Sequence, residues 1–271
     1  MTATRFAPSP TGRLHLGHAF SAMLAQDLAH AHGGRFLLRI EDSDTGRCRE
    51  EFVAAILEDL RWLGLDWDGT VVRQSERLEL YAAALDLLDA MGLLYPCFCT
   101  RKGIAASASA PQGPEGPVYP GTCRNRDQHH RLATEPHCWR IDIAKAAALV
   151  GPLSWHDERA GTIAADPLQH GDVVLARKDA PFAYHLAVVV DDAVQGISDV
   201  VRGEDLFAAT HVHRLLQALL GLPVPRYHHH PLLRDADGRR LAKRDGAPSL
   251  AALRDNGEDP QALLAALRAS S

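Results

Sequence analysis

The sequence has no run of apolar residues approaching the length needed to cross a bilayer, which argues against a membrane-spanning protein. It has no leader-like start either. Arg5 and the prolines at 8 and 10 interrupt the N-terminus, so a cytoplasmic location is expected. Positive charge is not in excess: 29 Lys and Arg face 34 Asp and Glu, a net charge of -5. Any contact with nucleic acid must therefore come from a local patch. Five cysteines, an odd number, argue against a disulfide framework and for a reducing compartment. No internal repeat is visible. What remains is the composition of an ordinary globular protein, 46% hydrophobic and 23% charged over 271 residues, enough for one large domain or two modest ones.

Residues 1–8 read as a short strand ended by Pro8 and Pro10. A helix is predicted from about His15, with Phe20, Met23, Leu24 and Leu28 on one face and Gly33-Gly34 as its stop. RFLLRIED (35–42) reads as a buried strand ending in charge. Glu50 to Leu63 has an amphipathic pattern, acids in its first turn and Gly64 as a cap. Ser75 to Met91 predicts a third helix with Leu78, Tyr81, Leu85 and Leu88 inward. The Pro-, Gly- and Ser-rich stretch 103–117 reads as a mobile loop. Residues 137–190 look β-rich, and AVVVDD (187–192) reads as a buried strand with two acids at its end. A helix is expected from about Asp205 to Leu220, and a late one begins at Asp259-Pro260 with an N-cap and an N1 proline. Strands followed by helices point to an α/β fold with a parallel sheet, split by an insertion and followed by a small helical tail.

HLGH (15–18) falls where the first helix begins. A helix N-terminus offers free N–H groups and a positive dipole end, imidazoles can donate to phosphate oxygens, and Gly17 lets a flat base lie close to the backbone. The same four residues also fit a plain polar first turn. Late in the chain, GRRLAKRDGA (238–247) carries Lys243 among Arg239, Arg240 and Arg244. Such a loop is either a solvated basic surface or a source of charge for a transferring phosphoryl group. Cys97, Cys99 and Cys123 suggest zinc, which prefers four ligands in a tetrahedron. Tyr119, His129, His130 and Cys138 compete for the fourth place. HHH (228–230) cannot hold one ion in an extended segment, because neighbouring side chains point to opposite faces; His229 is expected to point toward a nucleotide.

RFAPSPTGRLHLGH, RIEDSDTGR, FAYHLAVVVDDAVQGISDVVRGEDL and DGRRLAKRDG, in this order, resemble the catalytic domain of class I glutamyl-tRNA synthetases over most of residues 1–245. HLGH is similar to that family's HIGH signature and RLAKR (240–244) to its KMSKS signature, with Arg240 and Ala242 as departures. The resemblance implies a Rossmann-like catalytic fold formed by 1–96 and 187–230, a zinc-bearing insertion resembling an acceptor-binding module at 97–186, and a KMSKS-like loop with a helical tail at 231–271. It implies that glutamate attacks the α-phosphate of Mg2+·ATP to give glutamyl-adenylate, with His15, Gly17, His18 and Lys243 serving the ATP. Arg5, Phe6, Ala7, Pro8, Ser9, Glu41, Tyr184 and Arg202 would line the glutamate pocket. Guanidinium groups there suit the substrate's carboxylates, and a carboxylate suits its ammonium.

About thirty residues follow the KMSKS-like loop, so no anticodon-binding domain is expected. The chain therefore resembles the truncated glutamyl-queuosine tRNA(Asp) synthetases, which attach glutamate to queuosine in an anticodon loop, where splayed bases are accessible. In those relatives Cys97, Cys99, Tyr119 and Cys123 correspond to a zinc site, glutamate is activated without bound tRNA, and a monomer is expected. Alternatives are a truncated glutamyl-tRNA synthetase charging a 3′ end, a small-molecule nucleotidyltransferase, and a non-catalytic zinc or RNA-binding paralogue.

Overall fold

The computed structural model describes residues 1–44, 46–105, 112–113, 116–178, 180–233 and 248–269. The N-terminal half opens as β1 (Ala3–Phe6), α1 (Leu16–Ala31), β2 (Arg35–Ile40), α2 (Glu50–Leu63), β3 (Val72–Arg73), α3 (Leu78–Ala90) and β4 (Leu94–Cys97). The middle carries α4 (Arg101–Ala105), the hairpin β5 (Gln112–Gly113) and β6 (Gly116–Pro117), β7 (Cys138–Ile141), α5 (Ile143–Val150), β8 (Ser154–Asp157), β9 (Gly161–Ala164) and β10 (Val174–Ala176). Then come α6 (Tyr184–Val194), β11 (Asp199–Gly203), α7 (Ala209–Leu219), β12 (Arg226–His230), α8 (Leu250–Asp255) and α9 (Pro260–Arg268).

Two parallel sets of strands make the frame. One runs β1-β2-β3, the other β11-β12-β8 with antiparallel β9 at its edge. They meet where the Ser198 N–H donates to the Ala3 carbonyl at 3.0 Å and the Ala3 N–H to Ser198 Oγ at 2.9 Å. From β1 the chain therefore turns through α1 to β2 on one side, while β11 lies on the other. The strand order reverses at this point, and a crevice opens beyond the carboxyl ends of the strands, the usual ligand position in an open α/β sheet. Strands β8 and β9 belong by sequence to the 97–186 segment, yet they extend the sheet of β11 and β12.

One core lies between β1-β2, α1 and α2, built on Phe20, Met23, Phe36, Leu38, Ile56 and Leu60, and closed by Leu250, Leu264 and Leu267 from the C-terminal helices. A second lies among α3, α5, α6 and α7. Gly34 is required where α1 turns into β2: a Cβ there would sit 2.2 Å from the Thr2 carbonyl oxygen. Among the described residues no helix is long and apolar enough to cross a membrane.

Several expectations change. AVVVDD is not a strand but the body of α6, where every residue from Leu186 to Asp192 is buried. The helix is packed on more than one face, so its apolar residues run together and erase the 3.6 periodicity, while packing overrides the β preference of valine. The third helix begins later than Ser75, after a 3-10 turn at Gln74–Glu76, and Leu78 at its first position is 44% exposed rather than inward. The helix expected from Asp205 is likewise preceded by a 3-10 turn and starts at Ala209. Of the 103–117 stretch, residues 106–111 and 114–115 lie outside the described residues; the rest contributes to α4 and to the β5-β6 hairpin. The KMSKS-like loop with Arg239, Arg240, Ala242, Lys243 and Arg244 also lies outside them.

The contact at Gly34 generates a stability prediction. Gly34→Ala is expected to destabilise the chain by about 1–3 kcal/mol, the usual cost of overpacking, because backbone must move to admit the methyl group. Urea unfolding measures this; an unchanged midpoint would contradict the fit of β2 beside Thr2.

Candidate active site

A cavity of about 470 Å³ occupies the crevice at the carboxyl ends of β1, β2, β11 and β12. Arg5, Phe6, Ala7, Pro8, Ser9, His15, Gly17, His18, Glu41, Tyr184 and Arg202 all line it. The sequence places these residues up to nearly two hundred positions apart, and the sheet topology brings them to one wall. Two further hollows, of about 340 and 270 Å³, also have Tyr184 in their walls.

The HLGH turn does two jobs. His15 is the N-cap of α1, and its Nδ1 accepts from the Gly17 N–H at 3.1 Å. His18 Nδ1 accepts from the His15 N–H at 3.2 Å, so the two imidazoles close a capping box normally made by Ser or Thr with Glu. A neutral imidazole that accepts at Nδ1 carries its proton on Nε2 and can donate only from there. Capping thus fixes both rings in the tautomer suited to an anion at a helix N-terminus. The rings lie 3.8 Å apart between centroids, tilted at 39°. Gly17 has a nearer reason than nucleotide approach: a Cβ would stand 3.0 Å from His15 Cε1.

Beneath the cavity floor lies a buried charge network that sequence reasoning missed in part. Arg5 donates to both carboxylate oxygens of Asp192, at 3.0 and 3.3 Å. Arg39, fully buried in β2, donates to Asp192 at 2.8 Å, to Gln195 at 2.8 Å and to Glu41 at 3.3 Å. Asp191 accepts from Gln74 and Tyr81 and pairs with Arg77 at 3.1 Å. Burial would raise the Asp192 carboxyl, but Arg5 and Arg39 hold it below its ordinary value. Burial likewise would lower Arg39, and its carboxylate neighbours Asp192, Glu41 and Asp191 raise it instead. Glu41 ends up raised, since burial outweighs the pull of Arg39 and Arg5. The signal available in the sequence was charge inside an apolar strand, RIED, and two acids closing an apolar run.

Arg202, at the end of β11, is different. It is buried, yet among the described residues no carboxylate lies within ion-pair distance of it. Its Nε donates to His229 Nε2 at 3.1 Å, and Nη1 to Tyr184 Oη at 3.3 Å. Its charge is therefore oriented and unneutralised on the cavity wall, a costly arrangement that an anionic ligand would relieve.

The three histidines of β12 alternate as the strand geometry requires. His228 meets Asp199 at 3.0 Å, and His229 is buried against Asp157 at 2.8 Å. His230 meets Ser21 Oγ at 2.8 Å and lines the cavity, so it is His230, not His229, that faces the nucleotide-sized space. Burial lowers His229 to about 4, with Arg202 adding to the effect.

A separate group sits at the end of β4. The ligand atoms of Cys97, Cys99 and Cys123 all lie within 4.8 Å of one another. Tyr119 Oη is 3.4 Å from Cys97 Sγ and 3.6 Å from Cys99 Sγ, and the Cys99 and Cys123 sulfurs are 3.7 Å apart. A tetrahedral zinc with ordinary bond lengths would need edges of roughly 3.5–3.8 Å, so these four residues fit the ion. The Cys123 N–H donates to Tyr119 Oη at 2.8 Å, and the Arg140 guanidinium lies 3.9 Å over the Tyr119 ring. Both favour a phenolate, whereas burial without an ion pushes that phenol up. Cys138 donates to the Cys97 carbonyl at 3.4 Å and sits beside the Cys97 thiol, outside the group of three mutually close sulfurs, and His130 is exposed.

The family of tRNA synthetases class I (E and Q), catalytic domain, matches residues 1–270. The glutamyl-Q tRNA(Asp) synthetase of Rhodobacter capsulatus is 53% identical over 270 residues, covering 95% of this chain and 96% of that protein. Its counterpart in Deinococcus radiodurans is 49% identical over 274 residues, with 98% and 88% covered. Among solved structures, a glutamate tRNA ligase from Elizabethkingia meningosepticum, in complex with its amino acid, superposes with a TM-score of 0.80 at 26% identity. That match covers 98% of this chain and 60% of the ligase, so the chain spans less than two thirds of that enzyme's length. By both the family match and these relatives, the chain belongs to the class I E and Q tRNA synthetase catalytic-domain family and, within it, to the glutamyl-Q tRNA(Asp) synthetases.

Proposed function

We propose that this chain activates L-glutamate with ATP, as the magnesium complex, and transfers the glutamyl group to queuosine in the anticodon loop of tRNA(Asp). The observation that carries the first step is Arg202: a buried guanidinium with no acid partner among the described residues, facing a cavity that also holds a carboxylate and a pair of imidazoles. The glutamate side-chain carboxylate pairs with Arg202 and takes the Tyr184 hydroxyl proton as a hydrogen bond. Glu41 receives the ammonium, which draws its raised carboxyl back toward the ionised form. Arg5 and Ser9 face the α-carboxylate, and Phe6, Ala7 and Pro8 form the wall behind it. Arg5 contributes field more than a fresh ion pair, since Asp192 already occupies it.

An oxygen of the α-carboxylate then attacks the α-phosphorus of ATP. A phosphorus–oxygen bond forms, the bond to the bridging oxygen breaks, and pyrophosphate leaves with its electron pair. The step asks for in-line positioning and for positive charge near the leaving group. His15 and His18 donate from Nε2 at the helix N-terminus, Gly17 leaves room for the His15 ring, and Lys243 adds charge from its own loop. A hydroxyl of queuosine's cyclopentene ring next attacks the activated carbonyl; the ester bond forms, the bond from the carbonyl carbon to the phosphate oxygen breaks, and AMP departs with its phosphate taking up the hydroxyl proton. The hollows beside Tyr184 give that acceptor an approach. We assign the catalytic unit to 1–96 and 187–230, the acceptor-facing insertion to 97–186, of which β8 and β9 join the catalytic sheet, and the KMSKS-like loop with its tail to 231–271.

Cys97, Cys99, Tyr119 and Cys123 hold zinc in this reading. When bound, the ion would tie the start of the insertion at Cys97 and Cys99 to the segment carrying Tyr119 and Cys123, and Arg140 would offset the negative charge its four ligands bring.

Three measurements test these assignments. ATP–pyrophosphate exchange is expected to depend on glutamate and to need no RNA, and labelled glutamate is expected on tRNA(Asp) only when queuosine is present. Transfer to a 3′ end regardless of queuosine would overturn the acceptor; an absence of glutamate-dependent exchange would overturn the activity. Metal analysis is expected to find about one zinc per chain, lost in Cys99→Ser together with a lower melting temperature. A metal-free chain with full thermal stability would overturn the zinc assignment.

A further inference from the structure

The surroundings of Arg202 show how its charge is kept available. A guanidinium has five N–H donors. Here they meet five neutral acceptors: His229 Nε2 at 3.1 Å, Tyr184 Oη at 3.3 Å, His213 Nδ1 at 3.3 Å, Thr210 Oγ1 at 2.6 Å and the Leu206 carbonyl at 3.2 Å. Neutral acceptors orient a cation without cancelling it. A carboxylate at any of these places would form a buried ion pair and quench the attraction for an anionic ligand.

Two of the acceptors are imidazoles, and an imidazole accepts only while neutral and only at the nitrogen lacking the proton. Each therefore needs a partner to take the proton on its other nitrogen. For His229 that partner is Asp157, 2.8 Å from Nδ1. For His213 it is a second histidine: His213 Nε2 lies 3.3 Å from His185 Nδ1. Acceptance from Arg202 at Nδ1 puts the His213 proton on Nε2, which donates to His185 Nδ1, and the His185 proton then sits on its own Nε2. His213 is 2% exposed, and its ring packs 5.3 Å from that of His185 and 5.6 Å from that of Tyr184. Burial lowers both imidazoles, His185 to about 3, so both stay neutral beside the guanidinium.

We infer that His213, oriented by His185, is a positioning residue for amino-acid selection: it holds the Arg202 guanidinium toward the cavity as a neutral acceptor, so that the charge remains for the side-chain carboxylate of glutamate. The inference rests on the glutamate reading given above. It separates the pair from catalysis, because neither ring is needed at the phosphorus, and from mere packing, because an isosteric apolar residue would fill the space and lose the function.

The test is ATP–pyrophosphate exchange with KM measured separately for glutamate and for ATP. His213→Leu is expected to raise the glutamate KM about tenfold, as befits one lost hydrogen bond to a charged group, with the ATP KM within about twofold of wild type. His213→Gln, whose amide oxygen can accept from Arg202, is expected to recover most of that loss. His185→Leu, at the edge of the neighbouring hollow, is expected to raise the glutamate KM in the same direction by removing the group that fixes the His213 tautomer. An unmoved glutamate KM in folded His213→Leu, or equal rises for both substrates, overturns the inference. If His213→Leu does not fold, His185→Leu decides alone, and an unmoved glutamate KM there overturns it too. A wild-type chain without glutamate-dependent exchange would instead end the underlying reading, so the two failures are distinguishable.

Discussion

One buried positive charge, with no acid partner among the described residues, organises this molecule's site. Placing a guanidinium among neutral groups is costly, and the chain could have relieved the cost with a carboxylate, as it does for Arg5 and Arg39 through Asp192. At Arg202 no described carboxylate does so. Five neutral acceptors hold the group in place and leave its charge to be answered by whatever enters the cavity. The contrast between two arginines paired to Asp192 and one that, among the described residues, meets only neutral acceptors separates scaffold from receptor more sharply than residue type does.

The fold supplies what that charge needs. Reversal of strand order between β1 and β11 opens the crevice, and parallel strands deliver Arg5, Glu41, Arg202 and His230 to it near their carboxyl ends. The N-terminus of α1 borders the same cavity, with its first N–H groups capped by imidazoles rather than by a hydroxyl and a carboxylate. A carboxylate in that capping box would repel a phosphate; histidine caps the helix and keeps a donor nitrogen. In the proposed function, amino acid and phosphate would be recognised on adjoining walls, one by the Arg202 guanidinium and the other by a helix end.

Much of this was legible in the sequence because it is local. HLGH sits at the first turn of a helix whose apolar face and glycine stop were plain, and the cysteine spacing marked the cluster beside β4. What was not legible depends on burial. AVVVDD reads as a strand because an enclosed helix loses its polar face, and only its packing shows Asp191 and Asp192 turned toward Arg39. His213 and His185 gave no signal, since two histidines twenty-eight positions apart say nothing until α6 and α7 lie side by side. His229 and His230 changed places relative to the expectation because the phase of a strand, unlike its alternation, is set by its neighbours.

Calorimetric titration of L-glutamate and L-glutamine into wild-type chain and Arg202→Gln measures most directly what the Arg202 charge does. Wild type is expected to bind glutamate in preference to glutamine by roughly a hundredfold or more, and Arg202→Gln to lose that preference while remaining folded. Undiminished preference for glutamate in Arg202→Gln would contradict that role of the charge.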